Sequence, residues 1–410
     1  MVDHTEGENA QGSLLRALGY GDFRLVWSAQ ILSELGDWAA RVALAVVVFD
    51  RTHSKVLTAA VTAASLLPWV AGPALASLGD RFPRRNVMVV ADLIRAAAWF
   101  SMAAVHSVWA LLVLAFVAAS ATPPFEAARA AVIPEAVSEE GYGDALTLSN
   151  ITYQSVLVLG YLFGGGLVAV LGAQTALSVN ASTFLASALL VTMLRSGRVG
   201  HAEQRVGASL RAAARSIFSD PYLRRATMLA TVCGSCAIAG EALVAVYVRE
   251  NLPAAGDAAI GILAATIPAG TITASFLVRR RGEHAELLRT SSLVVILGSI
   301  GGIIWFFISP PNFWATAAYF SIGITFALAI PAYAVLGTRL PEESRATAFG
   351  LIQGMVLGGQ AIGAIVGGAL AVGIGAGPAA ALLLFPALGY ALYAFAVPPT
   401  GRTSLPGFGR

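Results

Sequence analysis

Charge is what this chain has least of. Aspartate, glutamate, lysine and arginine supply 12% of its 410 residues, against 57% hydrophobic; a soluble domain carries about 25% charge. So few charges cannot cover a soluble surface of this size, and lipid is the expected solvent. Cysteine is nearly absent too: Cys233 and Cys236 stand in the apolar run TMLATVCGSCAIAG. Their C-x-x-C spacing suits redox or metal chemistry, but no further ligand lies nearby in the chain. Small residues packed against a neighbouring helix are expected instead. None of the five histidines (His4, His53, His106, His201, His284) falls inside an apolar run. No phosphate-binding loop, nucleotide fingerprint, metal cluster or nucleophile–base set appears. An enzyme, a bound metal or cofactor and a nucleic-acid partner are therefore not expected. The opening, MVDHTEGENAQGSLLRALGYGDFR, is polar and acidic and has no basic patch before an apolar core. No cleavable signal peptide is expected, and the first apolar segment should remain as an anchor.

What is present is a series of apolar runs. A membrane helix needs about 20 mostly apolar residues. Twelve such runs lie near 24–49, 56–78, 87–105, 108–128, 146–171, 174–194, 226–248, 258–278, 288–308, 313–337, 348–373 and 378–397. The fourth and tenth carry Pro123, Pro124 and Pro331 near one end. With the N-terminus placed inside, twenty-one arginines fall on the inner side. Only Arg51, Lys55 and Arg249 fall on the outer side, and Arg41 and Arg95 lie within spans. That asymmetry predicts two cytoplasmic termini. Trp109, Trp305 and Trp314 fall near outer ends, where an aromatic belt belongs.

One inter-span segment is long, about Arg195 to Arg225. Within it ASLRAAARSIF puts Leu210, Ala214 and Ile217 on one helical face and Arg211 and Arg215 on another. It reads equally as an amphipathic helix on the inner membrane surface or as a solvated linker. Either way the chain divides into residues 1–197, a linker 198–221 and residues 222–410.

The two parts repeat. PFEAARAAVIPE (Pro124 to Glu135) faces PAYAVLGTRLPE (Pro331 to Glu342), AGPALASL (Ala71 to Leu78) faces AGTITASF (Ala269 to Phe276), and GYLFGG (Gly160 to Gly165) faces GAIVGG (Gly363 to Gly368). Gly36-Asp37 in the first span faces Gly240-Glu241 in the seventh, all at offsets of about 200 residues. Asp37 and Glu241 are therefore expected at equivalent depths near the midplane, where duplicated transporters bind substrate and coupling ion.

The first span raises the sharpest question. SELGDWAAR (Ser33 to Arg41) sets Glu34, Asp37 and Arg41 in its middle, three and four residues apart and so on one face. Each charge should cost about 2.5–3.5 kcal/mol at the centre of a membrane helix. One arginine cannot neutralise two acids. A buried, incompletely paired carboxylate holds its proton more tightly than a solvated one and can carry it. The expectation is that Arg41 holds the site together while an acid, Asp37 first and then Glu34, carries a proton. The alternative is a purely structural Asp37–Arg41 pair. Glu241 has no basic neighbour on its own helix and is a further proton candidate. Asp92 and Arg95 share the third span near the cytoplasmic gate, where they read as a structural pair or as gating residues. Glu126 and Arg129 at the inner end of the fourth span suit gate or access roles. Asn150 and Gln154 line one face of the fifth span, and Gln353 and Gln360 one face of the eleventh. Such amides orient a ligand in an apolar cavity or bond across helices. Trp38 and Trp69 offer stacking surface or ordinary packing.

After the second span, ASLGDRFPRRN (Ala76 to Asn86) resembles the signature loop of the major facilitator superfamily, G-x-L-A-D-R-x-G-R-R/K. Asp80, Arg81, Arg84 and Arg85 match, while Ala76 and Pro83 replace its glycines. The resemblance implies that Asp80 helps lock the two halves on the cytoplasmic side. The fifth span resembles that superfamily's antiporter signature, G-x-x-x-G-P-x-x-G-G. Gly160, Gly164 and Gly165 match; Val156 stands at the first glycine and Tyr161 at the proline. The eleventh span keeps Gly359, Gly363, Gly367 and Gly368 in that spacing, with Ala364 for proline. Close helix packing through small residues accounts for both sets as well. LGDWAARVAL, MVVADLIRA, PPFEAARAAVIPEA and NASTFLASALL resemble the branch containing bacterial macrolide, siderophore and multidrug exporters.

The fold expected is an all-α membrane protein with twelve transmembrane helices in two pseudo-symmetric six-helix bundles, the major facilitator fold. The function expected is proton-coupled efflux by alternating access. The cargo would be an amphipathic small molecule such as a drug, secondary metabolite or siderophore. The transporter would be a monomer in the bacterial inner membrane, driven by the proton gradient alone. An importer or facilitator of a small polar metabolite is the alternative; uncoupled, it would tolerate loss of the carboxylates. A non-transporting membrane sensor is a third reading, disfavoured by the lack of a sizeable soluble domain.

Overall fold

Local sequence sets where each helix starts and stops. The computed structural model describes residues 16–79, 82–195, 206–279, 284–308, 313–326 and 342–397, which are helices joined by short turns. The first half comprises α1 (Gly21–Thr52), α2 (Lys55–Leu66), α3 (Gly72–Gly79), α4 (Arg84–Ala104), α5 (Val108–Ser120), α6 (Thr122–Ala136), α7 (Glu139–Leu171) and α8 (Ala173–Thr192). Then come α9 (Val206–Ser219), α10 (Pro221–Ala242), α11 (Val244–Asn251), α12 (Gly256–Arg279), α13 (His284–Ile308), α14 (Phe313–Thr325), α15 (Glu342–Ile374) and α16 (Ala376–Ala396). Side-chain caps open four of them: Ser54 on Leu57 N, Ser107 on Ala110 N, Ser138 on Gly141 N, and Asp220 on Tyr222 N and Leu223 N. Such a cap contributes about 1 kcal/mol. Two turns need glycine. Gly172 between α7 and α8 and Gly375 between α15 and α16 have φ of 80° and 87°, a region costly for a side chain. They stand at matching places in the two halves.

Several spans are broken. The second is α2 and α3 joined by a 3-10 turn, Leu67–Ala71, around Pro68. The fourth is α5 and α6, interrupted at Ala121 ahead of Pro123 and Pro124. The seventh is α10 and α11, bent by 44°. Among the described residues nine helices are long and apolar enough to cross a membrane, ten with that bent pair counted as one. The helix α1 is not among them, because every spanning-length stretch of it holds three or more charges; its 32 residues nonetheless reach about 48 Å at 1.5 Å per residue. With α1 and α14 counted as spans, the architecture accommodates the expected twelve; the rest of the tenth apolar run, 327–337, lies outside the described residues.

Packing repeats in the two halves. The helix α1 packs on α7 and α8 as α10 packs on α15 and α16, and α4 meets α8 as α13 meets α16. The halves join through two equivalent contacts, α7 with α12 and α2 with α15. Lipid supplies no hydrophobic drive between helices, so close approach of small residues holds them together. A Cβ on Gly164 would lie 2.6 Å from Ala39 Cα, one on Gly367 2.6 Å from Ala239 Cβ, and one on Gly165 2.7 Å from Gly261 Cα across the interface. Large apolar side chains such as Leu159, Leu189, Leu297 and Ile362 point outward, as a lipid-facing surface requires.

The halves share an apolar core at one end only, although the second span lies along α15 toward the other end, with Gly354 against Trp69 and Val70 and Gly350 against Pro73. At the end remote from the chain termini, one apolar core runs through both, from Val48 and Val168 to Leu243 and Ile260. At the end near the termini each half has its own core, one around Val26, Phe125 and Leu194, the other around Ile217, Leu223 and Ile352. The helix α9 belongs to the second: Ala213 and Ile217 are buried in it, while Arg211 and Arg215 are exposed. This linker helix therefore docks on the second half through the face that carries Ile217.

Candidate functional site

Between the two separated cores lies a cavity of about 720 Å³, within the range of small-molecule sites. The N-terminal half supplies most of its wall: Gln30, Glu34, Asp37, Trp38 and Arg41 from α1, Trp69 from the break after α2, Arg95 and Trp99 from α4, Glu126 and Arg129 from α6, and Asn150, Tyr153 and Gln154 from α7. Phe349, Gln353 and Leu357 of α15 face them. The cavity reaches Tyr142 and Leu146 in the terminal-end part of α7. The α1 face read from Glu34, Asp37 and Arg41 thus forms one side of this cavity.

The charges there are arranged differently from the simplest reading of their spacing. Gln30, which sequence reasoning passed over, is the hub. Its Nε2 donates to Glu34 Oε1 at 3.0 Å, and its Oε1 accepts from Arg129 at 2.6 Å. Arg129 also holds Glu126 Oε2, at 2.5 and 3.1 Å. Gln30 is one helical turn from Glu34, a weak signal that only the position of Arg129 makes specific. Glu34 Oε2 is buried without a hydrogen-bond partner. Asp37 forms no ion pair among the described residues. Arg41 was expected to neutralise one of these acids, but its guanidinium lies 4.2 Å over the Trp38 ring instead. The reason is geometric: a long flexible side chain one turn from Asp37 reaches an aromatic face worth about 0.5–2 kcal/mol, and it borders a cavity that it shares with an acid on the other half.

That acid is Glu241. A second cavity, about 40 Å³ and roomy enough for water, is lined by Arg41, Thr62, Ser65, Tyr161 and Glu241 among others. Arg41 and Ser65 border both cavities. Here the hydroxyl of Tyr161 donates to Glu241 Oε1 at 2.6 Å, joining α7 of one half to α10 of the other. Asp37 and Glu241, expected at equivalent depths in the two halves, line different cavities. Asp37 faces the large cavity; Glu241 faces the small one, at the end of α10 next to the bend.

Asp92 and Arg95 form a buried ion pair at 3.2 Å, and Ser187 donates to the second Asp92 oxygen at 2.7 Å. Arg95 lies 4.3 and 4.8 Å from the Phe125 and Phe184 rings and borders the large cavity. Of the signature-loop residues, Arg84 bonds Glu135 at 2.6 Å and Ala131 O at 2.7 Å, and Arg85 reaches Leu194 O. These bonds stay within the first half. Asp80 and Arg81 lie outside the described residues.

The opposite end carries ion pairs that the sequence did not suggest. Arg249 of α11 grips both oxygens of Asp50 of α1, at 3.1 and 3.2 Å, and pairs with Asp257 of α12 at 2.8 Å. Lys55, the only lysine in the chain, pairs with Glu250 and donates to Ala371 O at 2.8 Å. Glu250 also accepts from Ala376 N at 3.0 Å. Asp50–Arg249 and Lys55–Glu250 both cross between halves. The positions 50 and 249 lie 199 apart, so no local pattern announces them.

Trp38, Asn150, Gln154 and Gln353 line the large cavity; Gln360 does not. It is 7% exposed and packs where Gly234 of α10 leaves room for its amide. Seven residues beyond Gln353 it shares that helical face, but by then α15 has passed from the cavity into contact with α10. The glycines Gly160 and Gly164 lie on Trp38 and Ala39 of α1, while Gly359, Gly363 and Gly367 lie on Ser235 and Ala239 of α10. Gly165 and Gly368 meet the opposite half, at Gly261 and at Val56 and Ala59. Cys233 is a buried free thiol against Ala387 O.

The sequence profile described as the Major Facilitator Superfamily matches residues 26–364. The chain is 26% identical to the MFS-type transporter YfiS of Bacillus subtilis (strain 168) over 372 residues, 85% of this chain and 86% of that protein. It is 25% identical to the multidrug efflux pump Tap of Mycolicibacterium fortuitum over 373 residues, 86% and 89% of the two chains. Its fold is similar to the crystal structure of a bacterial homologue of the human lysosomal transporter Spinster, inward-facing and unoccupied. That likeness has a TM-score of 0.70 at 14% identity over 92% of this chain and 96% of that one.

Proposed function

Because the chain belongs to the major facilitator superfamily, we propose that it exports an amphipathic, cationic small molecule in exchange for protons. The observation that carries this is the charge balance of the large cavity. Its wall holds Glu34, Asp37 and Glu126 against Arg41, Arg95 and Arg129. Arg129 is taken by Glu126 and Arg95 by the adjoining Asp92. Two acids are left facing one arginine that stacks on Trp38. A surplus acid beside Trp69, Trp99 and Tyr153 suits a cation with an apolar body, and the same acid can hold a proton when the cation has left. Competition of the two for one carboxylate is the elementary step of exchange. The efflux name of the relative Tap supports the outward direction. The proposed membrane is the bacterial inner membrane. With both termini cytoplasmic, as the arginine distribution favours, the separated end is the inner one, and the form described is inward-open. One proton entering for one monovalent cation leaving moves no net charge, so that exchange is driven by the pH gradient; each further proton entering down 100 mV adds about 2.3 kcal/mol.

Asp37→Asn tests the proposal, since it keeps shape and hydrogen-bonding capacity but cannot ionise. Because Asp37 makes no ion pair in the described structure, the variant should fold and melt like the wild type. In proteoliposomes it should still bind and exchange a fluorescent lipophilic cation such as ethidium, but fail to concentrate it under a pH gradient. Glu34→Gln, tested in parallel, shows whether the second acid shares the load. Full gradient-driven accumulation by the Asp37→Asn, Glu34→Gln double variant would remove the proton-carrier assignment.

A further inference from the structure

Tyr161 occupies the position where the antiporter signature has proline, and it does what proline cannot. Its hydroxyl reaches across the interface to Glu241 at 2.6 Å, on a side chain only 4% exposed. The ring packs 5.3 Å from Trp38, the same ring that Arg41 covers. One carboxylate on the second half is thereby tied to α7 and faces α1 of the first, beside the water-sized cavity. The second half has no counterpart, because Ala364 stands at the equivalent place. The charged and titratable groups around Glu241 are Arg41 from α1 and Tyr161 and Tyr153 from α7. The helices α2, α14, α15 and α16, which also pack on α10, bring none into the small cavity.

An exchanger has one strict requirement. The empty, unprotonated carrier must not turn over, or the proton gradient is dissipated without transport. A bond between an O–H and a carboxylate is roughly twice as strong as one between neutral groups. Resting on the proton-exchange reading above, we propose that Tyr161 is the positioning residue that enforces this rule. While Glu241 is ionised, Tyr161 latches the halves together at their remote end and holds the empty carrier inward-open. A proton arriving on Glu241 weakens the latch by neutralising its acceptor. A cation does the same by pairing with the acids of the large cavity and displacing Arg41 through the wall that it shares with Ser65, so that the guanidinium competes with Tyr161 for the Glu241 carboxylate. Only a loaded carrier is then free to change face. The rise of outward opening as pH falls follows from the sign: the ionised form is the latched one.

The test needs neither substrate nor gradient. A cysteine introduced as Ala264→Cys, 3% exposed on the wall of the small cavity, reports outward opening through its rate of alkylation by a charged thiol reagent. The protein is the full chain in nanodiscs. In the otherwise wild-type chain the rate should rise about tenfold from alkaline to mildly acidic pH, the difference between a charge-assisted and a neutral hydrogen bond. Tyr161→Phe should show the high rate at both pH values, with the pH response lost. Glu241→Gln should behave as the permanently protonated form, and the double variant should add nothing to either single one. Should Tyr161→Phe fail to fold, Glu241→Gln alone still gives the pH-independent high rate or does not. A pH response retained in Tyr161→Phe or in Glu241→Gln, or additive effects in the double variant, overturns the latch. Either result leaves the efflux reading standing, because that reading is lost only if the wild type fails to concentrate a cation under a pH gradient.

Discussion

The ion pairs at the remote end permit a worked prediction. Asp50–Arg249 and Lys55–Glu250 are the two described pairs that bridge the halves there, and opening that end must break both. Their side chains are 50% and 26% exposed in the first pair and 21% and 28% in the second, so water and salt screen them. Exposed pairs contribute about 0.2–1 kcal/mol each; the forked grip of Arg249 on both Asp50 oxygens puts that pair near the top of the range. Asp50→Asn leaves Arg249 its partner Asp257, so no charge is stranded. The expected shift toward outward opening is about 1 kcal/mol, or fivefold. Lys55→Met removes a pair and the bond to Ala371 O, while Glu250 keeps Ala376 N; about 1–1.5 kcal/mol is expected. Together the substitutions should open the remote end roughly 30-fold, read as alkylation of Ala264→Cys at fixed pH. Raising salt from 0.1 M to 1 M shortens the screening length from about 10 Å to about 3 Å and should move the wild type in the same direction while affecting the double variant less. Unchanged rates in both variants, with no salt response, would refute the reasoning. Closure would then rest on the shared apolar core, the contact of Gly165 with Gly261 and the Tyr161–Glu241 bond.

The cavity and the helix contacts give two further expectations. Gln154→Leu and Gln353→Leu, both on the large cavity, should change which cations are exported more than the turnover of any one. Gln360→Leu, packed against Gly234, should leave the export profile alone and alter thermal stability; a changed profile would return Gln360 to the binding wall. Gly164→Ala should destabilise by about 1–3 kcal/mol, the usual cost of overpacking, because its Cβ would meet the Ala39 backbone. The loss would appear as a lower unfolding temperature in detergent, whereas Gly166→Ala, with open space around it, should be neutral.

Much was legible in the chain before any coordinates, and the reason is local. Apolar runs of membrane length, the offset of about 200 residues between PFEAARAAVIPE and PAYAVLGTRLPE, and the arginine asymmetry are all one-dimensional properties. They suffice for a duplicated bundle because every backbone group in lipid must be satisfied within its own helix. The spacing of Glu34, Asp37 and Arg41 placed them on one face, and that face does line the large cavity. The glycines of GYLFGG and GAIVGG marked where helices approach: Gly160, Gly164, Gly363 and Gly367 pack against α1 and α10, and Gly165 and Gly368 against the opposite half. What stayed hidden was every partnership that joins separate helices. Nothing in SELGDWAAR says that Arg41 leaves Asp37 for the face of Trp38, or that Gln30 holds both Glu34 and Arg129. In sequence Tyr161 is only a departure from the signature's proline; its role depends on α10 lying opposite it. Gln360 matched Gln353 in register yet lies buried against Gly234, because a helix face continues unbroken while its surroundings change along its length. Asp50 and Arg249 are ordinary loop-end charges in sequence, brought together by the way the two halves lean. Hydropathy and helical period determine which residues enter the membrane and which share a face. The relative placement of helices, set by small-residue contacts in a solvent with no hydrophobic drive of its own, decides which charges meet and which end of the bundle is closed.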